Sequence, residues 1–243
     1  MRRVLFEWHG IRIWSYPAFL YLGLVAGMFV QHAVALASGL DALGVYVATL
    51  LLLPVALVGA RLLFVVSHWR TFRSEPRRIW RRSDGGLSML GAVPCMLLAS
   101  IPLLRALGVP FWSFWDATAF CILTGMAFTR VGCLLNGCCA GRVTDGALGI
   151  MLTDIHGVRA RRIPMQLFEG ATALLLLALA AAVRKDLTTP GALFLLTLGT
   201  YGTARAGLQR LRADPDRVGG VDVMFVISLL LVAASVVLIF WIG

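Results

Sequence analysis

Seven apolar runs divide this chain, each near or beyond the length that crosses a bilayer as a helix. They cover roughly residues 17–38, 45–67, 86–107, 111–135, 165–183, 189–209 and 221–242. Roughly 18 or more consecutive apolar residues are needed to span the hydrocarbon as helix. Hydrocarbon offers no hydrogen-bond partner to a peptide group, so a spanning segment must satisfy its own backbone. The sequence therefore predicts an all-α, polytopic integral membrane protein with seven transmembrane helices. It reads as one membrane domain, 1–243, with an extramembrane head segment at 136–164. Composition agrees: 59% of residues are hydrophobic and 14% charged, more apolar surface than a soluble domain of 243 residues can hide. The first run lacks a small-residue cleavage site and continues to spanning length, so it is expected to be retained.

The charge balance narrows the partners. Twenty-two Lys+Arg stand against 12 Asp+Glu, for a net charge of +10, and all but one of the bases are arginine. No basic groove for nucleic acid can form apart from the membrane, so anionic lipid headgroups are the better match. Arginine suits phosphate because its planar fork makes two parallel hydrogen bonds. "RTFRSEPRRIWRR" (70–82), with Trp80, reads as an interfacial segment that recruits anionic lipid. With seven spans, the N-terminus and loops 2–3, 4–5 and 6–7 share a side that carries 16 bases, against 3 opposite. By that count alone the N-terminus faces the cytoplasm.

Three arginines fall inside or at the end of apolar runs: Arg61, Arg130 and Arg205. An arginine at the bilayer centre costs roughly 2.5–3.5 kcal/mol on insertion scales. Arg61 lies a turn or two from the basic loop and can snorkel towards it. Arg130 and Arg205 sit among glycines and polar residues towards one membrane face, and read as an anion site shared between helices. Tyr201 and Arg205 are four residues apart and share a helix face, with Gln209 a turn further on. Arg130, Leu134 and Gly137 would share another face if the helix persisted that far. Gly125, Gly132, Gly137 and Gly141 would let a backbone or headgroup approach closely. Glu169 is the candidate counter-charge, while Asp116 and Asp222 read as interfacial residues.

Of five cysteines, Cys95 and Cys121 lie mid-span and read as small packing groups. Cys133, Cys138 and Cys139 leave four readings open. A thiol beside Arg130 and Arg142 would have a lowered pKa and could act as a nucleophile. C-x4-C-C could begin a metal site, although no nearby histidine completes the set. The thiols could simply pack a tight loop, or Cys133 and Cys138 could form a redox pair; a bridge between adjacent Cys138 and Cys139 would be strained.

Five motifs in order resemble the prolipoprotein diacylglyceryl transferase family. "TRVGCLLNGCCAGR" (129–142) is similar to its G-R-x-G-N-F-x-N-G-E-x-x-G-R, keeping Arg130, Gly132, Asn136, Gly137, Gly141 and Arg142. "DGGLSMLGA" (84–92), which includes Gly86, resembles D-G-G-M-S-F-H-G-G. "RIPMQLFEG" (162–170), with Gln166 and Glu169, resembles R-H-P-S-Q-L-Y-E. "YGTARAGLQRLRADPD" (201–216) is similar to Y-G-x-x-R-x-x-x-E-x-x-R-x-P-D. "GARLLFVV" matches a second-span G-x-R at Arg61, and Tyr16 falls where an early family tyrosine falls.

The resemblance implies a phospholipid-dependent enzyme of the bacterial plasma membrane. It would move a diacylglyceryl group from phosphatidylglycerol to the thiol of a lipobox cysteine in a preprotein and release glycerol phosphate. Arg130 and Arg205 would hold the donor phosphate, with Asn136, Cys138 and Cys139 also placed in the catalytic group. Tyr16, Arg61, Gly86, Gly137, Gly141, Arg142, Gln166, Glu169 and Tyr201 would bind substrate. No metal or organic cofactor is needed. The departures are specific: Leu90 replaces the family histidine, Cys138 the glutamate after N-G, Cys133 the asparagine, and Ile163 and Met165 the histidine and serine of the 162–170 motif. Two rivals follow: a related transferase using another acceptor or its own cysteine, and a non-catalytic lipid-binding or transport protein. The resemblance also implies an external N-terminus and loop 4–5, against the arginine count. The family topology is preferred, because arginines that serve lipid corrupt such a count.

Overall fold

The computed structural model describes residues 2–73, 77, 89–155, 157–213, 217–218 and 221–242. A hairpin of β1 (Val4–Trp8) and β2 (Ile11–Trp14) leads into α1 (Ser15–Ala37), followed by α2 (Ala42–Ser67), the short α3 (Trp69–Arg73), α4 (Met89–Leu107) and α5 (Phe111–Asn136). A second hairpin, β3 (Ile150–Thr153) and β4 (Arg159–Arg162), precedes α6 (Met165–Val183) and α7 (Ala192–Gln209). A third, β5 (Arg217–Val218) and β6 (Val221–Asp222), runs into α8 (Val223–Ile242). The seven long helices overlie the seven predicted runs. Among the described residues five of them, α1, α2, α5, α6 and α8, are long and apolar enough to cross a membrane, and the stretch Gly91–Leu107 of α4 is apolar as well. The C-terminal half of α7 carries Tyr201, Arg205 and Gln209, which dilute its hydropathy.

The hairpins were not legible as strands, because strands of two to five residues are too short to stand out beside long apolar runs. His9 and Gly10 turn the first with φ of 49° and 79°, the positive values that suit a two-residue hairpin turn. Phe6, Trp8 and Trp14 are exposed on it, aromatic residues of the kind that seat at headgroup level.

Small residues set the helix contacts. Gly23 of α1 lies on the backbone of Gly125, and Gly27 on Cys121, where an added Cβ would stand 2.6 Å from the Cys121 carbonyl oxygen. Gly59 of α2 and Gly91 of α4 meet beside Cys95. Both mid-span cysteines therefore fill places where a backbone approaches closely, as membrane helix interfaces favour. Polar side chains join the same helices. Gln31 donates to Thr118 at 2.8 Å and accepts from Thr49 at 3.1 Å, tying α1 to α5 and α2. Trp115 donates to Ser100 at 3.0 Å, tying α5 to α4.

Asp116 is not a plain interfacial residue. Its carboxylate accepts from the amides of Gly191 at 2.7 Å and Phe194 at 2.9 Å, closing the start of α7. Helix N-termini carry unsatisfied N–H groups and partial positive charge, so an aspartate from another helix is stabilising there. The condition placed on the face of Gly137 is decided at the end of α5. Gly137 is its left-handed cap at φ 78°, so the helix ends at Asn136 and Gly137 leaves the face of Arg130 and Leu134. The chain then folds back. Gly141 donates to the Ile163 carbonyl at 2.9 Å, Arg142 to Leu211 at 3.0 Å, and Ile163 to Arg142 at 3.0 Å. These bonds staple the end of α5 to the start of α6 and the end of α7.

Candidate active site

That staple gathers four charged side chains from three helices and a loop. Arg130 of α5 lies 2.8 Å from Glu169 of α6, and Arg205 of α7 lies 3.8 Å from the same carboxylate. Arg212, just beyond α7, donates to Glu169 at 2.9 Å. Gly170, next to Glu169, packs against Arg130; a Cβ there would stand 3.4 Å from that of Arg130, an ordinary contact distance. Glu169 is 1% exposed. A buried charge is tolerated only when paired, and here one carboxylate answers three guanidiniums. Two positive charges remain unbalanced within the group. The Nε of Arg130 is buried and has no hydrogen-bond partner among the described residues.

A relay of bonds fixes the α7 side. Arg205 donates to Gln209, one turn on. Gln209 in turn donates to both carboxylate oxygens of Asp222 at 3.0 Å. Asp222 also accepts from the Phe225 amide at 3.0 Å and so caps α8. The reading of Asp222 as an ordinary interfacial residue is thereby corrected. Tyr201 is buried and close enough to interact with all three arginines and Glu169.

The thiols lie beside this cluster. The sulfur atoms of Cys133, Cys138 and Cys139 all fall within 4.8 Å of one another. Cys139 has a left-handed backbone, φ 61°, which only His9 shares among the described non-glycine residues. Gln166 donates to the Cys138 carbonyl at 2.6 Å. Asn136 is near Cys138, and Tyr16 is within electrostatic reach of all three thiols and Arg130. Hydrogen bonds with Cys133 and Cys138 hold the Cys139 thiol well below its ordinary pKa, helped by Arg212 and Arg130 and opposed by burial. Burial also opposes the charge on Arg212, but Glu169 and Cys139 outweigh it and raise that pKa.

The other predicted residues fall elsewhere or serve as framework. Arg142 is anchored through its backbone, and its side chain is exposed. Arg61 lies over the rings of Phe64 and Phe72, at 5.5 and 5.6 Å. Gly137 and Gly141 allow the close backbone crossings of the staple, against Thr153 and Asp154 and against Ile163 and Leu211. Gly86, the Leu90 side chain and most of the 70–82 segment with Trp80 lie outside the described residues. Sequence reasoning missed Arg212, counting it as a loop base, although it stands at the second arginine of the pattern quoted for 201–216.

A family model described as prolipoprotein diacylglyceryl transferase matches residues 3–241. The chain belongs to that family. It is similar to the phosphatidylglycerol–prolipoprotein diacylglyceryl transferase of Dehalococcoides mccartyi, at 30% identity over 197 residues, 79% of this chain and 74% of the relative. The protein of that name from Shouchella clausii is 26% identical over 246 residues, covering 97% of this chain and 88% of its own. That of Bacillus cereus is 30% identical over 199 residues, 78% and 73%. Like the family, the chain is a multi-pass membrane protein.

Proposed function

We propose that this diacylglyceryl transferase family member moves a diacylglyceryl group from phosphatidylglycerol to the cysteine thiol of a lipobox-bearing preprotein. One observation carries the reading: Arg130, Arg205 and Arg212 converge on a single buried carboxylate. In the reaction an acceptor thiolate attacks the glyceryl carbon, a C–S bond forms, and the C–O bond to phosphate breaks. Glycerol phosphate leaves with the bonding pair and gains a negative charge as it goes. Fixed guanidiniums in a water-poor site stabilise charge that develops in this way, because they need no reorganisation as the bond breaks. Glu169 keeps the three like charges together while leaving net positive charge for the phosphate.

A cysteine of the chain is a weaker acceptor on chemical grounds. Diacylglyceryl carbon bonded to Cys138 or Cys139 would be a thioether, from which thiolate leaves far less readily than phosphate. That route ends in a modified protein instead of turnover. A non-catalytic lipid-binding role leaves the unbalanced guanidiniums without a task beyond docking. The site opens to lipid in the bacterial plasma membrane, and 136–164 forms the head over it, on the outer face. The test is incubation with phosphatidylglycerol and a lipobox peptide, followed by mass spectrometry. Diacylglyceryl peptide and glycerol phosphate in equal amounts are the expected products; lipid binding without either product would overturn the reading.

A further inference from the structure

The phosphate clamp leaves three converging thiols unused and leaves open what generates the attacking thiolate. We propose that Cys133, Cys138 and Cys139 hold one thiophilic divalent cation of the zinc class, whose fourth position takes the acceptor cysteine. The proposal rests on the transferase reading and supplies its missing base.

The geometry fits such an ion. Zinc bonds thiolate at about 2.3 Å in tetrahedral array, which places its sulfurs about 3.8 Å apart. The three sulfurs already lie within 4.8 Å of one another, so small side-chain rotations close the set. A catalytic zinc has three protein ligands and keeps its fourth position for water or substrate. With three thiolates as the protein ligands, such a site needs no histidine.

The backbone is shaped for this convergence. Gly137 ends α5 in the left-handed region, and Cys139 enters it again at φ 61°. A non-glycine residue is strained there, and strain of this kind concentrates at functional sites. Gln166, holding the Cys138 carbonyl at 2.6 Å, braces the turn. Arg212 and Arg130 bear on Cys139 and would offset the negative charge of a thiolate set.

The step balances without a redox change. The acceptor thiol takes the fourth position and loses its proton to water, since a thiol bound to such a cation is deprotonated outright. Its sulfur pair attacks the glyceryl carbon, and the C–O pair departs on glycerol phosphate towards the arginines. The thioether product carries no charge, binds the cation weakly and leaves.

The experiment strips the full-length protein in detergent with a chelator and refills it with cobalt alone, then with zinc. One cobalt per chain with a thiolate-to-cobalt charge-transfer band is expected. That band should grow on adding a lipobox peptide and stay unchanged with its Cys→Ser peptide. Stripping should slow transfer at least tenfold, and zinc should restore it. No cobalt bound beyond that of a Cys133→Ser/Cys138→Ser/Cys139→Ser protein overturns the site, and so does full transfer by the stripped protein. Cobalt bound without a response to the peptide thiol overturns the open position. The expected spectra without transfer by the zinc form would remove the transferase reading and leave the metal site standing. The wild-type spectrum is decisive even if the triple variant fails to fold.

Discussion

Arg212 donates to Glu169 at 2.9 Å across 43 positions of sequence. The bond joins the loop after α7 to the start of α6, and makes Glu169 common to three arginines that would otherwise repel one another. Its consequences reach both stability and catalysis.

Replacing Glu169 with Gln keeps the shape and removes the charge. Breaking a buried ion pair from one side costs about 3–5 kcal/mol, because the partner is left uncompensated. The Glu169→Gln protein should therefore unfold well below the wild type in a thermal scan in detergent. An unchanged midpoint would show that the arginines do not depend on this carboxylate.

Arg130→Lys and Arg205→Lys keep the charge but lose the planar fork. Lysine cannot reproduce two parallel hydrogen bonds to phosphate. Loss of one donor to developing charge costs roughly 10²–10³ in kcat, and that is the fall expected in the rate of glycerol phosphate release. A change in KM alone would assign the arginines to ground-state binding.

Orientation is checked at the tip of the second hairpin. Val158 is 54% exposed, so Val158→Cys should react with a membrane-impermeant maleimide in intact cells if the head is external. Labelling only after lysis would place the head in the cytoplasm, as the arginine count has it.

The backbone at Cys139 gives a fourth expectation. At φ 61° glycine is at ease and alanine is not, so Cys139→Gly should be more stable than Cys139→Ala by about 1 kcal/mol. Equal stability in chemical denaturation would mean that the turn relaxes without strain.

How much of this was legible in the chain follows from the range of each force. The spans were, because hydrocarbon demands continuous apolar helices, and the apolar runs announce themselves locally. Arg130, Arg205 and Glu169 stood out for the same reason, as charges where the solvent tolerates few. The short hairpins, the cap of α7 by Asp116 and the bond from Arg212 to Glu169 did not. Each depends on groups brought together from distant positions, and an ion pair or a capped amide leaves no periodic trace. The cysteines show the division most sharply. Sequence by itself set three sulfurs within seven residues; only two left-handed turns, at Gly137 and Cys139, decided that they face one another beside the arginines. Backbone φ and the packing that holds it are properties of the folded chain, and they turn a spacing into a site.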